Sequence, residues 1–402
     1  MPAPLEGITV VELANWVQGP LAGQLLANQG ASVVKVERPE RGDPTRGLSM
    51  LYGAKMMTED GRALLWEICN RNKESLCLDL HQPAGREVFY ELIRQADIFL
   101  TNLQPGRLES FSCTADELFA VNEQLIYAMG GGLTVNGPLA GAPAQDTVAM
   151  AHSGFMLTAG NADGEPAYPP GALADVTAAS SLASGVMSAL LSRDRHGTTR
   201  QVVTTSLVHA MAWTQMLGVA VPANTGDRLR PFEHGKAANP LMSVYQAGDG
   251  RWLALGMVSM SDRVWRAFCD AVDRREWYED ADWGLSYEDR ARAAVEIGEA
   301  IQALFLTKPA AEWVEVLRAR DIPCSMVNHP AELPLDENIR ADGIVARGAD
   351  GLAFLTGPFA LNGVAAGDRP APALGQDGAA VLARFGYGEQ AIAALYENGV
   401  VW

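Results

Sequence analysis

Apolar positions at the start of the chain switch between two periods. Ile8–Leu13 is a short run rich in β-branched side chains. Gly19-Pro20 then open LAGQLLANQGA, apolar at helical spacing, and Ser32–Glu37 (SVVKVE) is apolar again. Pro20 suits a first helical turn, where its missing N–H would be unpaired anyway, and Gly30 suits a C-terminal cap. Strand, helix and strand within about 30 residues predict a βαβ unit with parallel strands and a right-handed crossover.

The alternation continues. Leu76–Leu80 reads as a strand, Pro83–Ala96 as a helix with Val88, Phe89, Leu92 and Ile93 on one face, and Asp97–Leu103 as a strand. Thr114 and Glu117 form a capping box, and Gln124–Met129 is a further strand. A mostly parallel, doubly wound sheet with helices on both faces follows. From Gln145 to Met216 the chain reads as helices rich in Ala, Ser and Gly, above all Val176–Ser192, which predicts close packing in the core or at a subunit contact. Near Asn224–Asn239 the chain becomes polar and punctuated by Gly and Pro. There it enters a smaller α+β domain with a strand-turn-strand start, Val244–Gln246 and Trp252–Gly256 around Asp249-Gly250. It returns near Asn328–Leu335 and ends in two helices. The expected division is a large domain of residues 1–224 and 329–402, with residues 225–328 inserted as a small one.

Composition narrows the function. The chain has 402 residues and a net charge of −17, which argues against general affinity for nucleic acid or an anionic membrane. Cys69, Cys77, Cys113, Cys269 and Cys324 form no CxxC pair, and six scattered histidines offer no ligand spacing to them. Reduced thiols and no zinc or other metal site are expected. The N-terminus lacks a basic region before an apolar run, and no stretch approaches the roughly 18 apolar residues of a membrane span. A cytoplasmic location is expected.

Three places hold candidate chemistry. LANWVQGPLAG after the first strand lacks the GxGxxG of a dinucleotide fingerprint, so NAD or FAD is not expected. KVERPERGDPTRG (Lys35–Gly47) places Lys35, Arg38, Arg41 and Arg46 among Glu37, Glu40 and Asp43 at the end of the second strand. It is either a solvated charged loop or a phosphate clamp in the crevice above parallel strands. Asp175, just ahead of the small-residue helix, is either an ordinary N-cap or a carboxylate that stays ionised at a helix N-terminus and serves as a nucleophile.

These segments, in this order, resemble the class III CoA-transferases, which include formyl-CoA and carnitine CoA-transferases and are related to the α-methylacyl-CoA racemases. The resemblance begins in ITVVELANWVQGPLAGQLLANQGASVVKVERPERGDPTRG and continues through RNKESLCLDL, ADIFLTNLQPGRLE, LIYAMGGGLTVNGP and GALADVTAASSLASGVMSALL. It resumes at AANPLMSVYQAGDGRWLAL and IPCSMVNHPAEL and closes with LGQDGAAVLARFGY, so it covers nearly the whole chain.

The resemblance implies a Rossmann-like large domain with an inserted small one, and two subunits interlinked like chain rings. It also implies transfer of CoA from an acyl-CoA donor to a small carboxylic acid. The CoA thioester is a substrate, and no permanently bound cofactor is expected. Asp175 falls on the aspartate that, in the transferases, forms an acyl anhydride, then an aspartyl-CoA thioester, then a second anhydride. Arg38, Asn72, Lys73 and Asn102 fall on CoA-binding positions. Val17 and Gln18 occupy the turn near the thioester, where a backbone N–H or the glutamine amide would stabilise an oxyanion.

Several positions depart from the family pattern. The turn Thr101–Gly106 lacks its aromatic residue, and Ser110 replaces an arginine whose phosphate role Arg107 would take. Gly131–Thr134 replaces a Ser-Gly-Phe-Gly run. Gln145 stands where transferases carry Tyr and racemases His, which disfavours the racemase alternative, and His152 further along reads as a packing residue. The glycine-rich loop of formyl-CoA enzymes reads HGKAANP here, which weakens formate and oxalate as substrates. The other alternative is an inactive CoA-binding dimer.

Overall fold

The computed structural model describes residues 2–161, 163–229, 231, 236–280, 283, 286–361 and 367–402. The N-terminal alternation builds a parallel sheet from β1 (Thr9–Leu13), β2 (Ser32–Glu37), β5 (Glu74–Cys77), β6 (Ile98–Thr101), β7 (Ile126–Gly131) and β8 (Gln201–Ser206). A small hairpin, β3 (Met50–Leu51) with β4 (Ala54–Lys55), lies outside it. The order is β5-β2-β1-β6-β7-β8, and every neighbouring pair is parallel.

Period-two alternation sends each strand's side chains to two cores. Val11 and Leu13 join Val34, Val36, Leu76, Phe99 and Tyr127 on one face, under Phe89 and Leu92 of the helix Pro83–Arg94. Val10, Val33, Ile98, Leu100 and Ile126 face the other way. There they meet Ala22, Leu25 and Leu26 of α1 (Gln18–Ala27) and Ala179, Leu182, Ala183 and Val186 of the long helix Leu173–His196. Each large side chain so buried is worth about 1.5–3 kcal/mol. The small residues have a geometric reason: a Cβ on Gly185 would stand 2.5 Å from Val203 Cγ1, so the long helix lies close against β8.

The structure corrects three expectations. The stretch Gln145–Met216 is not helical throughout. Gly197, at φ +64, caps the long helix, and the β-branched run after it forms β8, a signal masked by its Ala-rich surroundings. The strand expected at Leu76–Leu80 sits earlier, at Glu74–Cys77. The long helix is also long and apolar enough to cross a membrane, although its inner face is packed on the sheet.

The chain divides into two compact units. The first comprises Met1–Met156, Tyr168–Arg228 and Asn338–Trp402. Its C-terminal stretch adds Val381, Leu382, Phe385, Val400 and Val401 to the core beneath β5. The second comprises Leu229–Glu337 together with Leu157–Ala167, a segment the sequence reading assigns to the large domain. It holds an antiparallel sheet of β9 (Val244–Gln246), β10 (Trp252–Leu255) and β11 (Cys324–Met326). Tyr245, Trp265, Phe268, Ile297, Phe305 and Trp313 form its core.

One buried charge breaks the apolar pattern of β1. Glu12 points toward α1, and a Cβ on Gly23 would overlap its Oε2. Gly23→Ala should therefore lower stability by about 1–3 kcal/mol through overpacking. Gly106→Ala, where a Cβ meets nothing within 4 Å, should be neutral or stabilising. Thermal or urea denaturation of the two variants checks the contrast.

Candidate active site

Parallel strands bind ligands beyond their carboxyl ends, where the strand order reverses. Here that place lies between β1, whose chain runs on to β2, and β6, which leads the other way to β7. The turn Ala14–Val17 and Asn102 stand there.

The turn is held from below by buried charge. Glu12 and Lys35 are register partners on β1 and β2, and both are fully buried. Lys35 Nζ lies 2.8 Å from Glu12 Oε1 and 3.1 Å from Asp43 Oδ2. Glu12 Oε2 in turn lies 2.7 Å from Lys73 Nζ. The four charges cancel. Burial works against the Lys35 ammonium, but Glu12, Asp43 and Glu37 outweigh it and hold its pKa above the ordinary value. Lys73 is weighted the other way: burial exceeds the help from Glu12 and lowers it to about 8. Beside this quartet, Arg46 grips Glu37 with two nitrogens at 2.8 and 2.7 Å and lies 3.5 Å over the Trp66 ring. Burial alone would raise the Glu37 carboxyl, yet Arg46 holds it below its usual range.

Four hydrogen bonds fix the turn, two from this layer and two from Asn102. Lys35 Nζ donates to Ala14 O at 2.8 Å. Asn102 Oδ1 accepts from Asn15 N at 2.9 Å while its Nδ2 donates to Asn15 O at 2.7 Å. Asp43 Oδ1 accepts from Trp16 N at 3.4 Å. Trp16 sits at φ +67, and Val17 packs on Leu65 and Cys69. The chain enters α1 with the Gln18 side chain folded inward. Its Nε2 donates to Gly131 O at 3.2 Å, and a Cβ on Gly130 would clash with it.

Asp175 meets this turn. The long helix that carries it packs along α1, and the Gln18 backbone at the start of α1 works to lower its pKa. Asp175 is not the N-cap: the long helix begins at Leu173, and Ala172, the cap position, makes no side-chain cap bond. Buried Asp146 does that work from 28 residues upstream. Its Oδ1 accepts from Ala174 N at 2.7 Å and Asp175 N at 3.3 Å. Tyr168 OH donates to Asp146 Oδ2 at 3.1 Å and lies 2.7 Å from Tyr52 OH in the β3–β4 hairpin. Since Tyr168 spends its one proton on Asp146, Tyr52 is the donor between the two hydroxyls.

Nor does the helix N-terminus keep Asp175 ionised at all ordinary pH. Burial first, and the Asp146 carboxylate second, push its pKa up to about 7 against the Gln18 N–H. The helix dipole is worth about 0.3–1 kcal/mol, too little to offset both.

The remaining predicted residues divide sharply. Arg38 and Arg107 are exposed; Arg38 Nε donates to Gly42 O, and Arg107 lies over the Phe111 ring. Lys73 is fully buried, with its ammonium bonded to Glu12, Asn70 and Pro20 O. Lys35 and Arg46 are corrected as members of a phosphate clamp, each being spent on a carboxylate. Asn72, at φ +68, clamps the C-terminal stretch: its Nδ2 donates to Gly367 O and its Oδ1 accepts from Arg369 N. Asn102 likewise has both amide atoms engaged with Asn15. Gln145 and His152 are exposed. In HGKAANP, His234 and Gly235 lie outside the described residues. Sequence reading missed Glu12 and Asp146 as working parts; the only signal for Glu12 was a charge in register with Lys35 inside two β-branched runs.

A family model described as CoA-transferase family III matches residues 5–378. The chain is 29% identical over 396 residues to acetyl-CoA:oxalate CoA-transferase of Acetobacter aceti, covering 95% of this chain and 96% of that one. It is 29% identical to formyl-CoA:oxalate CoA-transferase of Shigella sonnei over the full length of both. A CAIB/BAIF family protein from Brucella suis has the same fold at a TM-score of 0.80 and 25% identity, covering 96% of this chain and 100% of that one. A Mycobacterium tuberculosis protein matches with a TM-score of 0.82 at 24% identity, covering 94% and 99%.

The raised Asp175 pKa carries a sign that can be measured. The folded state favours the neutral carboxyl, so its contribution is fully present below about pH 4 and is lost as pH rises through about 7. Asp175→Asn lacks this loss. The Tm of the variant relative to wild type should climb between pH 4 and 7 and level off above; a pH-independent difference would sink the assignment.

Proposed function

The chain belongs to CoA-transferase family III, and from that premise we propose that it moves CoA from an acyl-CoA to a small carboxylate, with Asp175 as the nucleophile. The observation that carries this reading is the place of Asp175, in the first turn of the long helix that packs along α1, the helix that opens at Gln18 on the switch point of the sheet. An Asp175 oxygen attacks the thioester carbonyl and CoA leaves as the thiolate, giving an acyl–aspartyl anhydride. The thiolate then attacks the aspartyl carbonyl and expels the donor carboxylate, giving aspartyl-CoA. The acceptor carboxylate displaces CoA to form a second anhydride, and CoA takes the new acyl group and frees Asp175. Three of these four attacks put negative charge on oxygen or sulfur beside a group already bound to Asp175, so a fixed donor there stabilises each. The Gln18 N–H is that donor; its side-chain amide is committed to Gly131 O.

The elevated Asp175 pKa shapes the chemistry. A more basic carboxylate is the better nucleophile once ionised, and the anhydride or thioester that replaces it is neutral. Acylation therefore removes the repulsion with Asp146. Arg38 and Arg107, both exposed, are the proposed phosphate contacts of CoA. The relatives named for oxalate make dicarboxylates one class of acceptor to screen. A homodimer is part of the proposal. The apolar helix Met216–Thr225 buries none of its residues within the chain, and Trp213 beside it is 72% exposed, a patch of the kind that partners cover. The five free cysteines fit the proposed cytoplasmic location.

Two results test the reading. Light scattering should give about twice the 43.0 kDa chain mass, undiminished on dilution to nanomolar; a folded monomer would overturn the dimer. In CoA exchange, kcat/KM should rise with pH along a limb near pH 7, because the free enzyme must lose the Asp175 proton. Asp175→Ala and Asp175→Asn should each lower exchange by at least roughly a thousandfold, and wild type given an acyl-CoA alone should carry an adduct on the Asp175 peptide. Exchange by Asp175→Asn at the wild-type rate, without deamidation, would move the chemistry to another residue.

A further inference from the structure

Trp16 is the odd member of the catalytic turn. Its φ of +67 belongs to the left-handed region, where a side chain as bulky as indole is a steric outlier and glycine is at ease. Its backbone is fastened on both sides, by the paired amide of Asn102 on Asn15 and by Asp43 Oδ1 on its own N–H. The side chain gains nothing visible in return. It joins none of the hydrophobic clusters among the described residues, although its neighbour Val17 does, and it stays 43% exposed. Strain held in place by its surroundings and unrewarded by packing marks a residue kept for its ligand. Two positions along, Gln18 opens α1, which packs along the long helix that carries Asp175 in its first turn.

On the reading that Asp175 receives the acyl group, we infer that Trp16 is a specificity-determining residue: its indole is an apolar wall for the acyl chain of the thioester, so the chain selects CoA thioesters of aliphatic or aromatic acids over those of one- or two-carbon acids. An acyl group bonded to Asp175 lies where the first turn of the long helix faces the turn that opens α1, and Trp16 is the one large apolar side chain of Ala14–Gln18 that is exposed. Each methylene laid against it is worth up to about fourfold in affinity. The phosphates and pantetheine arm make the same contacts whatever the acyl group, so the effect appears in a ratio between ligands that differ only at the sulfur.

The test measures binding and needs no acceptor acid. S-ethyl-CoA and S-hexyl-CoA are thioethers that cannot acylate the protein, and their Kd values are compared by isothermal titration. Wild type should prefer S-hexyl-CoA at least roughly tenfold, and Trp16→Gly should bring the preference below about threefold. Glycine accepts φ +67 without strain, so the variant folds, which an unchanged circular dichroism spectrum and dimer mass verify. Trp16→Phe should restore most of the preference. An unchanged ratio in Trp16→Gly overturns the inference while leaving CoA transfer intact. Dissociation of the dimer in Trp16→Gly also overturns it, because the indole would then belong to an interface. No binding of either thioether by wild type would defeat the underlying reading of the function instead.

Discussion

Everything at the turn Ala14–Val17 rests on four charges taken out of water together. Glu12, Lys35, Asp43 and Lys73 are each at most 1% exposed, and removing any one leaves an uncompensated charge in the interior. Breaking a buried pair in this way costs about 3–5 kcal/mol, whereas apolar replacements of a whole set are often neutral or better. The quartet is therefore poorly explained as a source of stability. Its members differ from apolar filler in reaching outward: Lys35 holds Ala14 O, and Asp43 bonds both Thr45 and Trp16. Hydrogen bonds have direction and dispersion contacts do not, so a polar foundation fixes the orientation of a peptide group where a greasy one would fix only its distance.

That orientation matters because the Asp175 carboxylate is poised between opposing pulls. Burial and Asp146 favour the proton on Asp175, and the Gln18 N–H favours its loss. Asp146 serves twice, once as a long-range cap on Ala174 and Asp175 and once as the like charge beside the Asp175 carboxylate. A local cap at Ala172 would anchor the helix equally well. Bringing the cap from another element puts a second carboxylate where it also tunes the first, and Tyr168 keeps that carboxylate in place.

Much of this was legible in the chain. The βαβ periodicity located β1, α1, β2, the helix Pro83–Arg94 and the capping box at Thr114 because each obeys a local rule, and the ordered motifs pointed to Asp175 and Gln18. The errors share a cause. Lys35 and Arg46 look like surface cations in a sequence, and only the folded chain shows that Glu12 lies in register with Lys35 and that Glu37 meets Arg46 inside. Asp175 looks like a cap because the true cap is remote. β8 was hidden by its neighbours: an Ala-rich helix on one side set the apparent period for the β-branched run that followed.

The way the tail is built in bears on synthesis. The core beneath β5 is closed by Val381, Leu382 and Phe385, and Val400 and Val401 complete it, with Leu78 and Val401 bridged and Asn72 fastening Gly367 and Arg369. A ribosome makes β5 more than 300 residues before those partners exist. Through that interval the nascent chain carries an open apolar face and an unpaired strand edge, two features that draw chaperones and neighbouring chains alike. The second unit draws its core from residues 241–322 and needs nothing from the tail to fill it. Translation thus delivers the second unit before the tail that closes the first.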